Sequence, residues 1–164
     1  MAFVRPEKQT IGLSFKFLAK EPLIAVLPAD HRLTSRKTIR PEDLAREVFV
    51  SAARSAPVLR AVVDDYAAKA GITLRQEYEA ENLSAAMSLV ASTGGITLIP
   101  LYAQNMLTPN VVARAIDGVP PTIDLNLGYN EANTSPLLER FLSRADELVA
   151  CVQNQSIIRY AGAL

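Results

Sequence analysis

The sequence predicts an α/β fold in which helices pack on the faces of a sheet, and three observations carry that prediction. Leu23-Ile24-Ala25-Val26-Leu27 is continuously apolar, the pattern of a strand covered on both faces. Val58, Leu59, Val62, Val63 and Tyr66 recur at three- and four-residue spacing, which marks an amphipathic helix. Strand and helix signals then alternate along the chain, as they do when helices cover a sheet. The 164 residues are 49% hydrophobic and 21% charged, enough for one compact core and too apolar to stay disordered.

The elements follow in order. Phe3-Val4-Arg5-Pro6 ends a short strand at its proline. Ile11, Leu13, Phe15 and Phe17 alternate with polar or small residues, predicting a strand over 11–18 with those four on a buried face. A separate strand is expected at 23–27, closed by Pro28 and followed by a polar turn to Leu33. A short helix spans 39–45 with Pro41 in its first turn, where a missing N–H is harmless. A strand at 47–50 precedes a helix that opens at Pro57 and stops at Gly71. After a strand at 74–78, Asn82 caps a helix that is apolar nearly all round and is expected to be buried. Gly94-Gly95 ends it. A strand at 96–100, a short helix at 101–106, and strands at 111–116 and 123–129 come next. Ser135 and Pro136 open a last helix whose stripe is Leu138, Phe141, Leu142, Ala145, Leu148 and Val149.

Composition narrows the function. Basic and acidic residues number 17 each, so the chain as a whole is not a polycation for nucleic acid. The basic cluster Arg36, Lys37 and Arg40 and the pair Asp64-Asp65 read as solvated faces. A single cysteine, Cys151, and a single histidine, His31, exclude an intramolecular disulfide and a multi-thiolate or two-histidine metal site. Cys151 reads as a small buried hydrophobe. His31 has no nucleophile or orienting partner at a useful spacing, so it reads as a turn residue rather than a base. Gly94-Gly95 lies between a helix and a strand, the reverse of a phosphate-binding loop. No cofactor is called for. No apolar stretch spans a membrane and the N-terminus has no secretory pattern, which points to a cytoplasmic location.

Several blocks together resemble the effector-binding domain of LysR-type transcriptional regulators. They are Glu21-Pro22-Leu23-Ile24-Ala25-Val26-Leu27-Pro28-Ala29-Asp30-His31-Arg32-Leu33, the short helix before a strand at 39–47, Leu89-Val90-Ala91-Ser92-Thr93-Gly94-Gly95-Ile96-Thr97-Leu98-Ile99-Pro100, the strand at 125–129, and Ser135-Pro136-Leu137-Leu138. Their order covers about residues 3–149. The resemblance implies a periplasmic-binding-protein-like (type 2) α/β fold of two subdomains joined by crossing strands near 23–27 and 123–127, with a ligand cleft between them. Residues 23–122 would form the second subdomain. Residues 1–22 and 123–164 would be what remains of an incomplete first one. The family's helix-turn-helix DNA reader has no counterpart here, so the chain reads as an N-terminally truncated piece that would meet DNA only through that absent domain.

The resemblance places Asn82, Leu83 and Ser84 toward an effector at a helix N-terminus, and the turn Ser51, Ala52, Ala53, Arg54 and Ser55 at the cleft border. Arg54 is a candidate for holding a carboxylate. Arg5 resembles a family arginine near the cleft. Val58, Leu59, Val62, Val63 and Tyr66 are expected to form an interface for self-association, weakened by Val62→Asp or Leu59→Asp. The expected function is sensing of a small anionic metabolite that controls transcription. Two other readings stand beside it: a solute-binding protein of transport type, and an α/β enzyme for which no nucleophile–base pair or ligand set is found.

Overall fold

A computed structural model of the chain describes residues 1–5, 11–145, 147 and 149. Cys151 and Leu148 lie outside the described residues.

The strand that organises the fold is β2 (Leu13–Pro28), sixteen residues long. The separate strands expected at 11–18 and 23–27 are one continuous element. Pro22 looks like a break in the sequence, because a proline has no N–H to give to a ladder. Here it sits where the strand changes partners. Leu13 to Pro22 pairs antiparallel with β8 (Thr122–Asn130), whereas Leu23 to Val26 pairs with β6 (Thr97–Pro100) and Ala25 to Pro28 with β7 (Val111–Ile116). Leu23 N–H resumes the bonding by donating to Pro121 O at 2.8 Å. The missing donor therefore costs nothing at the crossover.

Beyond that crossover the apolar run divides its side chains between two cores. Leu23, Ala25 and Leu27 join Leu33, Ile39, Leu44, Phe49 and Leu98 on one face. Ile24 and Val26 join Val50, Met87, Val90 and Ile99 on the other. The strand is covered on both sides, as its composition requires. Helix α2 (Pro57–Lys69) closes the first core with Val63 and Ala67, and α3 (Leu83–Thr93) closes the second with Ala86, Met87 and Val90. The expectation that α3 is buried all round is overturned. Ser84, Ser88, Ala91 and Ser92 face solvent, so the three serines and one alanine form a polar, small-residue side.

The rest of the sheet follows from these contacts. Edge strand β1 (Ala2–Val4) lies on β8, and β3 (Thr38–Ile39) lies parallel to β7. β4 (Val48–Ala52) and β5 (Arg75–Ala80) form a parallel pair. Ile96 N–H donates to Val48 O at 2.8 Å and its carbonyl accepts from Val50 N–H at 2.9 Å, which attaches β4 to the segment entering β6. A one-turn helix, α1 (Pro41–Leu44), precedes β4. The short helices at Arg32–Ser35 and Leu101–Met106 are of the tighter 3₁₀ type. His31 caps the first of these by accepting from Leu33 N–H through Nδ1 at 3.3 Å, while its Nε2 faces Glu47 at 3.4 Å. Both ring nitrogens are spent on structure.

The last helix, α4, occupies 136–145, with 147 and 149 also helical. It packs on the first half of β2 and on β8 through a small core of Leu18, Leu127 and Ala145, and Lys16 Nζ donates to Leu142 O at 2.9 Å. A register shift between Phe17 and Ala19 lets Leu18 enter that core. Of the four residues expected on the buried face, Ile11 is fully exposed, Leu13 and Phe17 are each 44% exposed, and only Phe15 is half-buried.

Candidate functional site

β4 and β5 run parallel, and each leads through a short turn into a helix: β4 ends at Ala52 before α2, and β5 ends at Ala80 before α3. The carboxyl ends of parallel strands gather helix N-termini and are where open α/β sheets bind ligands. A cavity of about 310 Å³ opens at that position. It is at the lower end of the size range for small-molecule sites. Thr97, Leu98, Ile99 and Pro100 of β6 and Ile123 of β8 form part of its wall, and the first turns of α2 and α3 supply Pro57, Val58, Leu59, Leu83 and Ala86. Arg5 and Tyr102 complete it from the β1 and 3₁₀ segments. The cavity thus lies beside the crossover of β2, with contributions from both sets of strands that β2 joins.

Among the described residues, Arg5 is the only cationic side chain in this wall. Its Nη2 donates to Glu21 Oε2 at 2.9 Å, and its guanidinium lies 5.8 Å from the centre of the Tyr102 ring. Glu21 also accepts from Tyr102 N–H through Oε1 at 2.9 Å. One carboxylate on β2, next to the crossover proline, therefore ties the end of β1 to the start of the 3₁₀ turn after β6. Arg5 Nη1 is buried and, among the described residues, has no hydrogen-bond partner. A buried donor on a charged group is costly to leave unpaired, so Arg5 keeps hydrogen-bonding capacity that Glu21 does not use.

The two helix ends differ. Asn82 Oδ1 accepts from Ala85 N–H at 2.9 Å and caps α3, whereas Ala56 gives α2 no side-chain cap. Glu81 lies on the cavity wall between these ends and accepts from Ser55 Oγ at 3.2 Å. Ser51 is buried and donates to Tyr78 O at 3.0 Å. Its oxygen keeps acceptor capacity, but its proton is committed. Thr97, buried on β6, donates to Val50 O at 2.8 Å and fixes the wall rather than offering a donor.

Of the residues singled out from sequence, Arg5, Ser51, Ala52, Asn82 and Leu83 come together around the cavity. Arg54 and Ser84 are exposed and are not among the residues lining it; Arg54 N–H donates to Glu79 Oε1 at 3.3 Å. Sequence reasoning overlooked Glu81, Tyr102 and the β6 wall: β6 is buried at every position, and a uniformly apolar strand carries no sign of which part borders a cavity. On α2, Val63 points into the molecule's own core at 5% exposure, whereas Val58, Leu59, Val62 and Tyr66 are half-buried against it. Val58 and Leu59 line the cavity, and Val62 and Tyr66 line a shallower depression with Pro120 and Pro121.

The family model for the LysR substrate binding domain matches residues 1–150. The chain belongs to that family. Among regulators of known sequence, it is 34% identical over 140 residues to the Hca operon transcriptional activator HcaR of Escherichia coli strain K12, covering 82% of this chain and 46% of HcaR. Solved structures agree on the fold. CbnR, a LysR family transcriptional regulator, superposes with a TM-score of 0.79 at 20% identity, covering 90% of this chain and 51% of CbnR. The effector binding domain of QuiR in complex with shikimate superposes with a TM-score of 0.74 at 21% identity, covering 87% of this chain and 68% of QuiR. The fold is therefore the periplasmic-binding-protein-like α/β fold that the resemblance implied. This LysR-family chain spans about half the length of the curated relatives it matches. Among the described residues, no helix is long and apolar enough to cross a membrane.

Proposed function

We propose that this LysR-family chain is the effector-sensing part of a cytoplasmic transcriptional regulator, and that a small anionic metabolite binds in the cavity at the ends of β4 and β5. The observation that carries this reading is Arg5, a cation lining an otherwise largely apolar cavity, with one guanidinium nitrogen, Nη1, buried and without a partner among the described residues. Family membership among transcriptional regulators supports a sensor over the transport-type solute binder and over an enzyme.

The ligand-binding set is Arg5, Ser51, Ala52, Asn82 and Leu83, with Arg54 and Ser84 at its periphery. Two lobes meet at the cavity, residues 23–122 and the pair of segments 1–22 and 123–164. A ligand held by Arg5 on one side and by the helix ends on the other binds the closed arrangement better, and only that difference in affinity shifts the population. The change passes to DNA through a helix-turn-helix domain outside these residues and through self-association, in which the outer side of α2 takes part.

The test is a thermal-shift series on the 164-residue chain with small carboxylates. A binder present at a hundred times its Kd adds about 2.7 kcal/mol, or about 5–10 °C in Tm for a domain of this size. Arg5→Met is expected to abolish the shift. An equal shift in the variant would remove Arg5 from the site. For self-association, Val62→Asp is the cleaner probe, because Leu59 lines the cavity and Val63 is core. The variant is expected to sediment as a smaller species than wild type; unchanged sedimentation takes α2 out of the interface.

A further inference from the structure

We propose that the ligand carries a single negative charge on an otherwise apolar body, and that Glu81 excludes a second charge. This rests on the reading above that the cavity holds a small anion. Among the described residues, the cavity wall contains one cation and one anion, Arg5 and Glu81. Arg5 has one nitrogen engaged by Glu21 at 2.9 Å and another buried without a partner among the described residues, so the single cation keeps hydrogen-bonding capacity for one acid group. A single carboxylate satisfies it with a charge-assisted hydrogen bond.

A dianion needs a second positive region. The candidates are the N-termini of α2 and α3, which attract negative charge through their aligned peptide dipoles. That position already holds a carboxylate. Glu81 immediately precedes the cap residue of α3, and its Oε2 accepts from Ser55 Oγ at 3.2 Å, two residues before α2 begins. Glu81 therefore answers the helix dipoles and repels a second acid group in the ligand. Between the two charges the wall is Ala52, Leu59, Leu83, Ala86, Ile99 and Ile123, which suits a hydrocarbon ring or chain.

Glu21 is the positioning residue in this arrangement. By accepting from both Arg5 Nη2 and Tyr102 N–H, each at 2.9 Å, it fixes the guanidinium toward the cavity.

The experiment is isothermal titration of the full chain with matched probes: benzoate, terephthalate and benzamide, then hexanoate, adipate and hexanamide. In wild type the monoacid of at least one set is expected to bind more than about tenfold tighter than its diacid and its amide. Glu81→Gln is expected to improve the diacid about fivefold relative to the monoacid, the size of one exposed charge–charge repulsion at contact range. A diacid that binds wild type as well as its monoacid, or a ratio unmoved by Glu81→Gln, overturns this inference and leaves the anion site intact. Absence of binding by every acid, or acid binding unaffected by Arg5→Met, overturns the anion site and this inference together.

Discussion

Replacing Asn82 with alanine separates what this residue does for the fold from what it does for the cavity. Its Oδ1 accepts from Ala85 N–H at 2.9 Å, the third position of α3, and the side chain is otherwise exposed at the cavity rim. Loss of such a cap costs about 1 kcal/mol. For a domain of this length that is about 2–4 °C in Tm. Asn82→Ser keeps an oxygen within reach of the same N–H and is expected to recover most of the loss. Circular-dichroism melts of the two variants and wild type read this directly. The reasoning is refuted if the alanine variant melts with wild type, or if serine is as damaging as alanine. Because the freed first turn carries Leu83 on the cavity wall, benzoate affinity is expected to fall more in Asn82→Ala than in Asn82→Ser.

Two further stability predictions come from the same kind of argument. Gly94 ends α3 at φ 73°, with open space where a Cβ would stand, so Gly94→Ala costs about 1–2 kcal/mol of left-handed strain, and Gly94→Asn costs less. At Gly95 a Cβ would lie 2.9 Å from Val48 O, the carbonyl that accepts from Ile96 N–H, so Gly95→Ala must part β4 from β6 and is expected to lower the urea midpoint further than Gly94→Ala. Asp43 is 1% exposed and accepts from Arg36 Nη1 at 2.8 Å and from Arg40 N–H at 3.2 Å. Asp43→Ala is expected to cost roughly 2–3 kcal/mol by urea unfolding, toward the low end for a broken buried pair because the part-exposed Arg36 regains water.

Much of the architecture was legible because local chemistry and tertiary position agree along most of the chain. The run at 23–27 has no polar face, so it had to be covered twice, and its side chains alternate between two cores. Pro57 and Gly71 bound a helix for backbone reasons that no neighbour overrides. The errors have equally specific causes. Pro22 reads as a strand break unless the change of pairing partner at that residue is known, and that change is set by β6 and β8, far along the sequence. The face of Ile11, Leu13 and Phe17 was read inward because periodicity shows that two faces differ, not which one is covered. The serines Ser84, Ser88 and Ser92, spaced along one side of α3, were passed over when the helix was read as apolar nearly all round. Within the site, helix caps and turns announced themselves by composition. Arg5 was placed by resemblance, and only its pairing with Glu21, sixteen positions away, shows why it points at the cavity. Arg54 has the right chemistry in the neighbouring turn, but it is not part of the wall.

The most direct test of a carboxylate bound on Arg5 beside the β2 crossover is a nitrogen–proton NMR map of the chain with and without saturating monocarboxylate, read at both backbone amides and arginine side chains. The account predicts the largest changes at the Arg5 guanidinium, at the first turns of α2 and α3, and at Tyr102. Changes concentrated on the outer side of α2, around Val62 and Tyr66, with the Arg5 side-chain signal unmoved, would contradict it.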